Sequence, residues 1–230
     1  TLTEKFLLNS GKIEQSGSIE KGNTKSDFTP EEKEHKHSIN NSYFNFSWNN
    51  NQINLIDTPG YADFRGEVAS AVRMVEGALL LIDGTTGIEV NTGYVWDMAV
   101  ENDLSRLIFI NKIDEEGSKF REVFEELKDI FDDTLLRVTI LFGEGEDFKG
   151  IINLLSNKAV LDGEETDIPD EYTDMVEEYR FELVENAVEL DDELMMKYLE
   201  DEDITDQELI DALHDGIAEQ KIVPIFAGSA

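Results

Sequence analysis

The chain has 230 residues, and 52 Asp and Glu against 19 Lys and Arg give it a formal net charge of −33. Because such a surface repels phosphate, we expect no direct nucleic-acid binding by this chain. Its 40% of hydrophobic residues can form a core, which argues against intrinsic disorder. The absence of cysteine excludes disulfides, thiolate metal ligands and a cysteine nucleophile.

The charge is divided unevenly along the chain. Residues 1–114 carry 10 Lys and Arg against 17 Asp and Glu, a net −7, whereas residues 115–230 carry 9 against 35, a net −26. This shift predicts two units with different partners. The longest purely apolar run, 78–82, is far shorter than the roughly 20 residues that span a bilayer. Residues 1–4 also lack the basic start of a signal peptide, so we expect no membrane partner and a cytoplasmic protein.

The first half of the chain predicts alternating helices and strands. In order, we expect a helix over 2–8, a polar mobile loop over 9–41, a hairpin of strands over 43–48 and 52–56, a helix over 64–75, a strand over 78–82, a helix over 92–102 and a strand over 107–110. Buried strands that alternate with helices indicate βαβ units around a parallel sheet.

The second half predicts mainly acidic helices. We expect a helix over 118–131, a strand-like segment over 135–141, short apolar runs at 151–155 and 158–161, helices over 170–189, 192–199 and 205–219, and a final strand over 223–227. The acidic surface over 170–219 is either a solvated face or a docking surface for a basic partner.

Two polar motifs follow directly after predicted strands. The first is Asp57, Thr58, Pro59 and Gly60, and the second is Asn111, Lys112 and Asp114. Ligands bind at the carboxyl ends of strands in open parallel sheets, so we expect both motifs to face one crevice. In isolation, the motif at 57–60 is as readily explained by a capped turn as by a binding site, and the motif at 111–114 by a polar loop. Their order after two apolar strands favours guanine-nucleotide binding.

The residue types suit this chemistry. Asp57 is able to hold a Mg²⁺-bound water, and the Gly60 N–H can approach a γ-phosphate because no side chain obstructs it. The two oxygens of Asp114 match the paired N–H donors of guanine. Asn111 can brace the loop while the Lys112 stem lies against the base. The residues after the last strand, Gly228, Ser229 and Ala230, would add backbone contacts to the base.

These motifs together resemble the GTPase region of the elongation factor G family. Residues 57–64, D-T-P-G-Y-A-D-F, resemble its switch II motif, while 111–114 and 228–230 resemble its guanine motifs. The segment between 150 and 224 is similar to the subdomain that the family inserts before its last guanine motif. The resemblance covers essentially the whole chain.

The resemblance implies the fold and the ligands. We expect a P-loop GTPase-type α/β fold with a mostly parallel sheet flanked by helices, formed by 1–115 and 224–230. An acidic α+β subdomain would be inserted at 116–223. GTP or GDP and Mg²⁺ are the implied ligands. The implied partner is the ribosome, contacted through a stalk protein, with RNA contacts made by domains outside this chain.

Three departures from the family pattern affect these expectations. The phosphate-binding motif G-x-x-x-x-G-K-[ST] does not occur, so we expect this chain to be a fragment that is inactive alone. Tyr61 replaces the family's usual His, which positions the attacking water. With this tyrosine, the motif resembles that of the divergent elongation factor G-like subgroup called elongation factor G 2. A phenol is too weak a base near neutrality, although its hydroxyl can orient water.

The third departure lies in the loop before the hairpin. Where the family's switch I signature ends R-G-I-T-I, this chain has His35, Lys36, His37, Ser38 and Ile39. Ser38 falls on the threonine that supplies a hydroxyl to Mg²⁺, and it keeps that hydroxyl. A metal site formed by the two histidines is the lesser alternative.

Two other functions stay open on the sequence. One is a slow-hydrolysing GTP switch or a ribosome-protection factor, because Tyr61 replaces the histidine. The other is an acidic interaction module whose nucleotide motifs are vestigial.

Overall fold

The computed structural model describes residues 1–131, 134–161 and 163–230. The first part contains α1 (Leu2–Asn9), α2 (Pro30–His35), β1 (Ser42–Trp48), β2 (Asn51–Asp57), α3 (Arg65–Ala71), β3 (Gly77–Asp83), α4 (Val90–Glu101), β4 (Ser105–Asn111) and α5 (Phe120–Phe131). The second part contains β5 (Leu135–Arg137), β6 (Thr139–Phe142), β7 (Gly150–Asn153), β8 (Lys158–Leu161), β9 (Glu164–Thr166), α6 (Thr173–Val188), α7 (Asp192–Leu199), α8 (Asp206–Ala218) and β10 (Val223–Ala227).

A parallel sheet with the strand order β3-β4-β10-β5 forms the first layer. Its central strands are apolar on both faces, and Ile108, Ile110 and Ile225 are essentially inaccessible to solvent. Trp96 of α4 and Leu127 of α5 pack into the same core. The predicted α/β class, with a parallel sheet flanked by helices, is confirmed.

The hairpin of β1 and β2 is a separate two-stranded antiparallel sheet, with Ser42 opposite Asp57 and Trp48 opposite Asn51. Among the described residues β2 therefore pairs with β1 and not with the parallel sheet. The predicted hairpin is confirmed and Asp57 ends its second strand, but among the described residues that strand has no parallel neighbour. The polar alternation of β2, compared with the unbroken apolar runs of β3 and β4, is the local reason.

The segment 9–41 contains more structure than the predicted mobile loop. Pro30 occupies the first turn of α2, the Thr29 hydroxyl accepts from the Glu32 amide, and the Glu32 carboxylate accepts from the Thr29 amide. This reciprocal capping stabilises a helix of only six residues.

A second sheet, antiparallel with the order β6-β7-β8-β9, packs with α6, α7 and α8 around its own core, which includes Ile152, Leu183 and Leu209. A single 3₁₀ turn, Asp170–Tyr172, precedes α6, so the helix begins later than predicted. Within the described residues, no helix is both long enough and apolar enough to cross a membrane.

The segment 135–141, predicted to be strand-like, forms two strands, β5 and β6, because the chain changes sheets at Val138. The Val138 amide donates to the Ile225 carbonyl of the parallel sheet, while its own carbonyl accepts from the Leu154 amide beyond β7. Leu135 belongs to the first core and Leu136 to the second. Although α5 and β5 fall within the predicted insert 116–223, they pack with the parallel sheet. The division into domains stays a prediction.

Candidate functional site

The structure brings together the loops that follow β4 and β10. Asn111, at the end of β4, is buried, and its Oδ1 accepts a hydrogen bond of 3.1 Å from the Ala230 amide. The Gly228 amide donates to the Ile110 carbonyl at 3.0 Å. These contacts place two of the predicted motifs side by side, at the carboxyl ends of adjacent parallel strands, where ligands bind in this kind of sheet.

The glycine that follows β10 lies close to the Phe109 ring. A Cβ on Gly228 would lie 3.0 Å from the Phe109 ring. A cleft of about 380 Å³ opens beside Gly228 and Ser229. Its far wall comes from the second sheet and the loop between β6 and β7, including Lys149, Ile151 and Val160. The base end of the candidate site thus borders the second layer.

Asp83 holds the Lys112 side chain, and the motif analysis missed it. The Lys112 Nζ lies 2.8 Å from Asp83 Oδ2, while Asp83 Oδ1 accepts from the amide and hydroxyl of Thr85 at 2.9 and 2.6 Å. Burial alone would raise the pKa of Asp83, but Lys112 and Thr85 outweigh it and lower the pKa to about 2. The available signal was its position directly after an apolar strand.

The N-K-I-D loop is braced from the second layer. The Gly145 amide donates to the Ile113 carbonyl at 2.9 Å, and the Glu144 carboxylate accepts from the Phe120 amide at the start of α5. Asp114, between these anchors, is exposed. Neither Glu144 nor Gly145 carries a motif, so sequence reasoning had no signal for them.

The second group of candidate residues surrounds Asp27. The Ser38 hydroxyl donates to Asp27 Oδ1 and the Thr24 hydroxyl to Asp27 Oδ2, both at 2.8 Å. Asp57, at the end of β2, lies near enough to Asp27 for the two carboxylates to interact. Burial raises the pKa of Asp57, the Thr3 hydroxyl opposes this, and the charge of Asp27 adds to the increase. Asp27 was not predicted, because it lies in the polar segment 9–41.

These residues fit a magnesium ion. A carboxylate whose ionised form is disfavoured by burial and by a second carboxylate is in an environment that a cation relieves. Oxygen donors are the ligands that Mg²⁺ prefers, and it commonly takes few from protein and the rest from phosphates and water. In the described ranges, no group of three or more His, Cys, Asp or Glu could hold a metal by itself. Among the described residues, the two histidines His35 and His37 therefore do not form a metal site with a third His, Cys, Asp or Glu.

The D-T-P-G loop is anchored to α4. The Asn91 side-chain amide donates to the Gly60 carbonyl at 2.9 Å, and Asn91 Oδ1 accepts from Arg65 Nε at 2.8 Å. The Arg65 guanidinium lies over the Tyr94 ring at 4.3 Å. Asn91 is a further residue that sequence reasoning missed, since it lies in an ordinary amphipathic helix.

The other residues of this loop differ in exposure. Pro59 is buried, Thr58 is partly buried, and the Tyr61 side chain is 59% exposed. The Tyr61 ring has the His37 ring as a neighbour, with centroids 4.5 Å apart. Among the described residues, no hydrogen bond or ion pair joins the residues 57–60 directly to the Asn111 loop, and their common crevice stays a prediction.

The sheet order and paired strand-end loops define a GTPase-type α/β fold. The family model for the elongation factor Tu GTP binding domain matches residues 1–230. The chain belongs to this family of GTP-binding domains.

A solved structure supports the assignment. A crystal structure of a protein from Thermus thermophilus superposes with a TM-score of 0.91 at 31% sequence identity, and the match covers 99% of this chain. The chain spans only 35% of the length of that protein. The activity and partners of a whole protein are therefore matters for proposal.

Proposed function

We propose that this chain is the GTP-binding and GTP-hydrolysing domain of a ribosome-associated factor of the translocation type, similar to elongation factor G. The observation that carries the proposal is the hydrogen bond between Asn111 and the Ala230 amide, because it joins two loops that both resemble guanine motifs. Membership of the GTP-binding-domain family supports it.

The base would be recognised at this junction. Asp114, which is exposed, accepts the two N–H donors of guanine. The Lys112 stem, held in place by Asp83, lies against the face of the base. Gly228, Ser229 and Ala230 supply backbone contacts to the base.

The phosphates would lie at the other group of residues. The Gly60 N–H binds the γ-phosphate, and Thr58 and Pro59 set the course of the backbone before it. Asp57, through water, and the Ser38 hydroxyl would hold Mg²⁺. The chemistry that Mg²⁺ supplies when bound is neutralisation of phosphate charge. Tyr61 would orient the attacking water through its hydroxyl.

The acidic second layer would serve protein recognition. Residues 170–219, which contain α6, α7 and α8, carry 20 Asp and Glu against 2 Lys and Arg, and a field of one sign steers association with a basic partner. By resemblance, that partner is a ribosomal stalk protein. By the same resemblance, RNA contacts are made by domains outside this chain, and the whole protein acts in the cytoplasm.

Guanine selectivity tests the first part of the proposal. Fluorescent GDP and ADP are titrated into the full-length protein and into Asp114→Asn, with Glu116→Gln as the control for an exposed carboxylate in the same loop. We expect GDP to bind much more tightly than ADP. Asp114→Asn should weaken GDP binding by about 30-fold or more, since hydrogen bonds to a charged group are worth roughly 1.5–3 kcal/mol each. Equal affinity for GDP and ADP would contradict the proposal.

The exposed phenol of Tyr61 favours one alternative, a GTP switch that hydrolyses slowly. Single-turnover GTP hydrolysis, with and without ribosomes, is compared between the native protein and Tyr61→His. A native rate that is low even with ribosomes, and that rises strongly in Tyr61→His, supports the slow switch. A fast ribosome-stimulated native rate removes it.

A further inference from the structure

The ring of His37 packs against the ring of Tyr61 and so joins the segment before β1 to the D-T-P-G loop. The centroids are 4.5 Å apart and the planes are inclined by 42°. Phe64 and His35 lie further out, with their rings 6.1 and 5.8 Å from that of His37. Contacts of this kind between rings contribute about 0.5–1.5 kcal/mol beyond the area they bury.

The two residues in contact both depart from the family pattern. Tyr61 stands where switch II usually has its histidine, and His37 stands where the switch I signature R-G-I-T-I has isoleucine. One imidazole is therefore absent from the D-T-P-G loop, while another is present in the segment that packs on it. The imidazole of His37 thus comes from a different part of the chain but lies beside position 61, where the family usually has its histidine.

The contacts around His37 restrict the orientation of its ring. Nδ1 lies 3.3 Å from the Ser38 carbonyl oxygen, and because a carbonyl only accepts, this contact favours the tautomer with the hydrogen on Nδ1. In the neutral ring, Nε2 then has a lone pair and is an acceptor. The following backbone is fixed, since the amides of Ile39 and Asn40 both donate to the buried Glu32 carboxylate.

We propose that His37 supplies, as a hydrogen-bond acceptor, an imidazole that orients the attacking water together with the Tyr61 hydroxyl, and that its ring contact holds Tyr61 in place. The inference rests on the proposed GTPase function. In the reaction, the water oxygen forms a bond to the γ-phosphorus while the bond to the bridging oxygen breaks, and that electron pair leaves with GDP. The proton of the water passes to a γ-phosphoryl oxygen, so His37 orients the water without keeping its proton.

Three substitutions in the full-length protein test this role. His37→Phe keeps an aromatic ring but removes the nitrogen, and the double variant with Tyr61→His returns an imidazole to the neighbouring position. His35→Phe is the matched control, because it removes an exposed imidazole two residues away. GDP affinity, KM and kcat are measured for each variant, and GDP affinity also reports whether the nucleotide site is folded.

We expect His37→Phe to lower kcat at least tenfold while KM and GDP affinity stay within about twofold, the pattern of a lost interaction in the transition state. Adding Tyr61→His should recover most of that loss, and His35→Phe should change little. An unchanged kcat in His37→Phe, or no recovery in the double variant, overturns the inference while guanine binding stands. A native protein that binds GDP without hydrolysing GTP also overturns it. Absence of guanine-selective binding instead removes the proposed function itself.

Discussion

Glu32 in α2 is a buried carboxylate that fastens both ends of the segment carrying His37 and Ser38. Its Oε2 accepts from the amides of Phe28 and Thr29 at 3.0 and 2.8 Å. Its Oε1 accepts from the amides of residues 39 and 40 at 3.1 and 3.0 Å. Glu32→Gln keeps the shape but turns one acceptor into an NH₂ group that faces donors, so we expect this segment to open more often.

The pKa of Glu32 gives the size of the effect. Burial alone would raise this pKa, but the hydrogen bonds lower it from 4.5 to about 2. That difference corresponds to roughly 3 kcal/mol, at about 1.4 kcal/mol for each tenfold change in proton affinity. Because the folded-state pKa is the lower one, the stabilisation is complete above pH 4.5 and is lost as the pH falls towards 2. Glu32→Gln should lose about 2–3 kcal/mol of the local opening free energy at neutral pH.

Hydrogen exchange of the amides at residues 39 and 40 measures this opening. A loss of about 2–3 kcal/mol predicts protection reduced by about 30- to 150-fold. Glu31→Gln is the matched control, because Glu31 lies next to Glu32 in the same helix but is exposed. Protection in Glu32→Gln within threefold of native, or an equal loss in Glu31→Gln, would refute the assignment of Glu32 as the anchor of this segment.

Two further substitutions test the base end of the site. Asp83→Asn removes the partner of Lys112. Since this ion pair is partly exposed, we expect GDP affinity in a titration to fall only about fivefold. Unchanged affinity would mean that the pair does not position Lys112 for the base. Gly228→Ala places a Cβ 3.0 Å from the Phe109 ring and should cost about 1–3 kcal/mol in thermal unfolding. Gly93→Ala lies within α4 and has open space around its Cβ, so it should instead stabilise the protein by about 1 kcal/mol. Equal effects of Gly228→Ala and Gly93→Ala would contradict the steric argument.

Most of the parallel sheet was predictable from local patterns. The apolar runs 78–82, 107–110 and 223–227 lie within β3, β4 and β10. The central strands β4 and β10 need apolar side chains on both faces, whereas Leu79 and Leu81 of β3 are exposed. The helix expected over 118–131 contains α5, whose apolar side chains recur at helical spacing. The capping residues of α2, Thr29 and Glu32, are recognisable in the sequence as a capping box. The polar composition around them nevertheless led to the wrong prediction of a mobile loop.

The candidate site was predictable only where a motif marks it. Asn111 and Ala230 were both named from motifs, but the hydrogen bond between them joins positions 119 residues apart and required the fold. Asp27 and Asp83 carry no motif, and their importance follows from the neighbours that folding gives them. The contact of His37 with Tyr61 likewise depends on how the segment 9–41 returns to the D-T-P-G loop.

The sequence by itself determined the alternation of strands and helices, the concentration of acidic charge after residue 114, and the order of the guanine and phosphate motifs. These properties arise from residue type and from spacing over a few residues, so a single chain displays them without any partner in space. Only the tertiary structure decided that β2 pairs with β1 outside the parallel sheet, that the chain changes sheets at Val138, and that the Gly145 amide braces the N-K-I-D loop. The physical reason is that these features are hydrogen bonds between groups far apart in the chain, whose partners are chosen when the layers pack together and not by local preference.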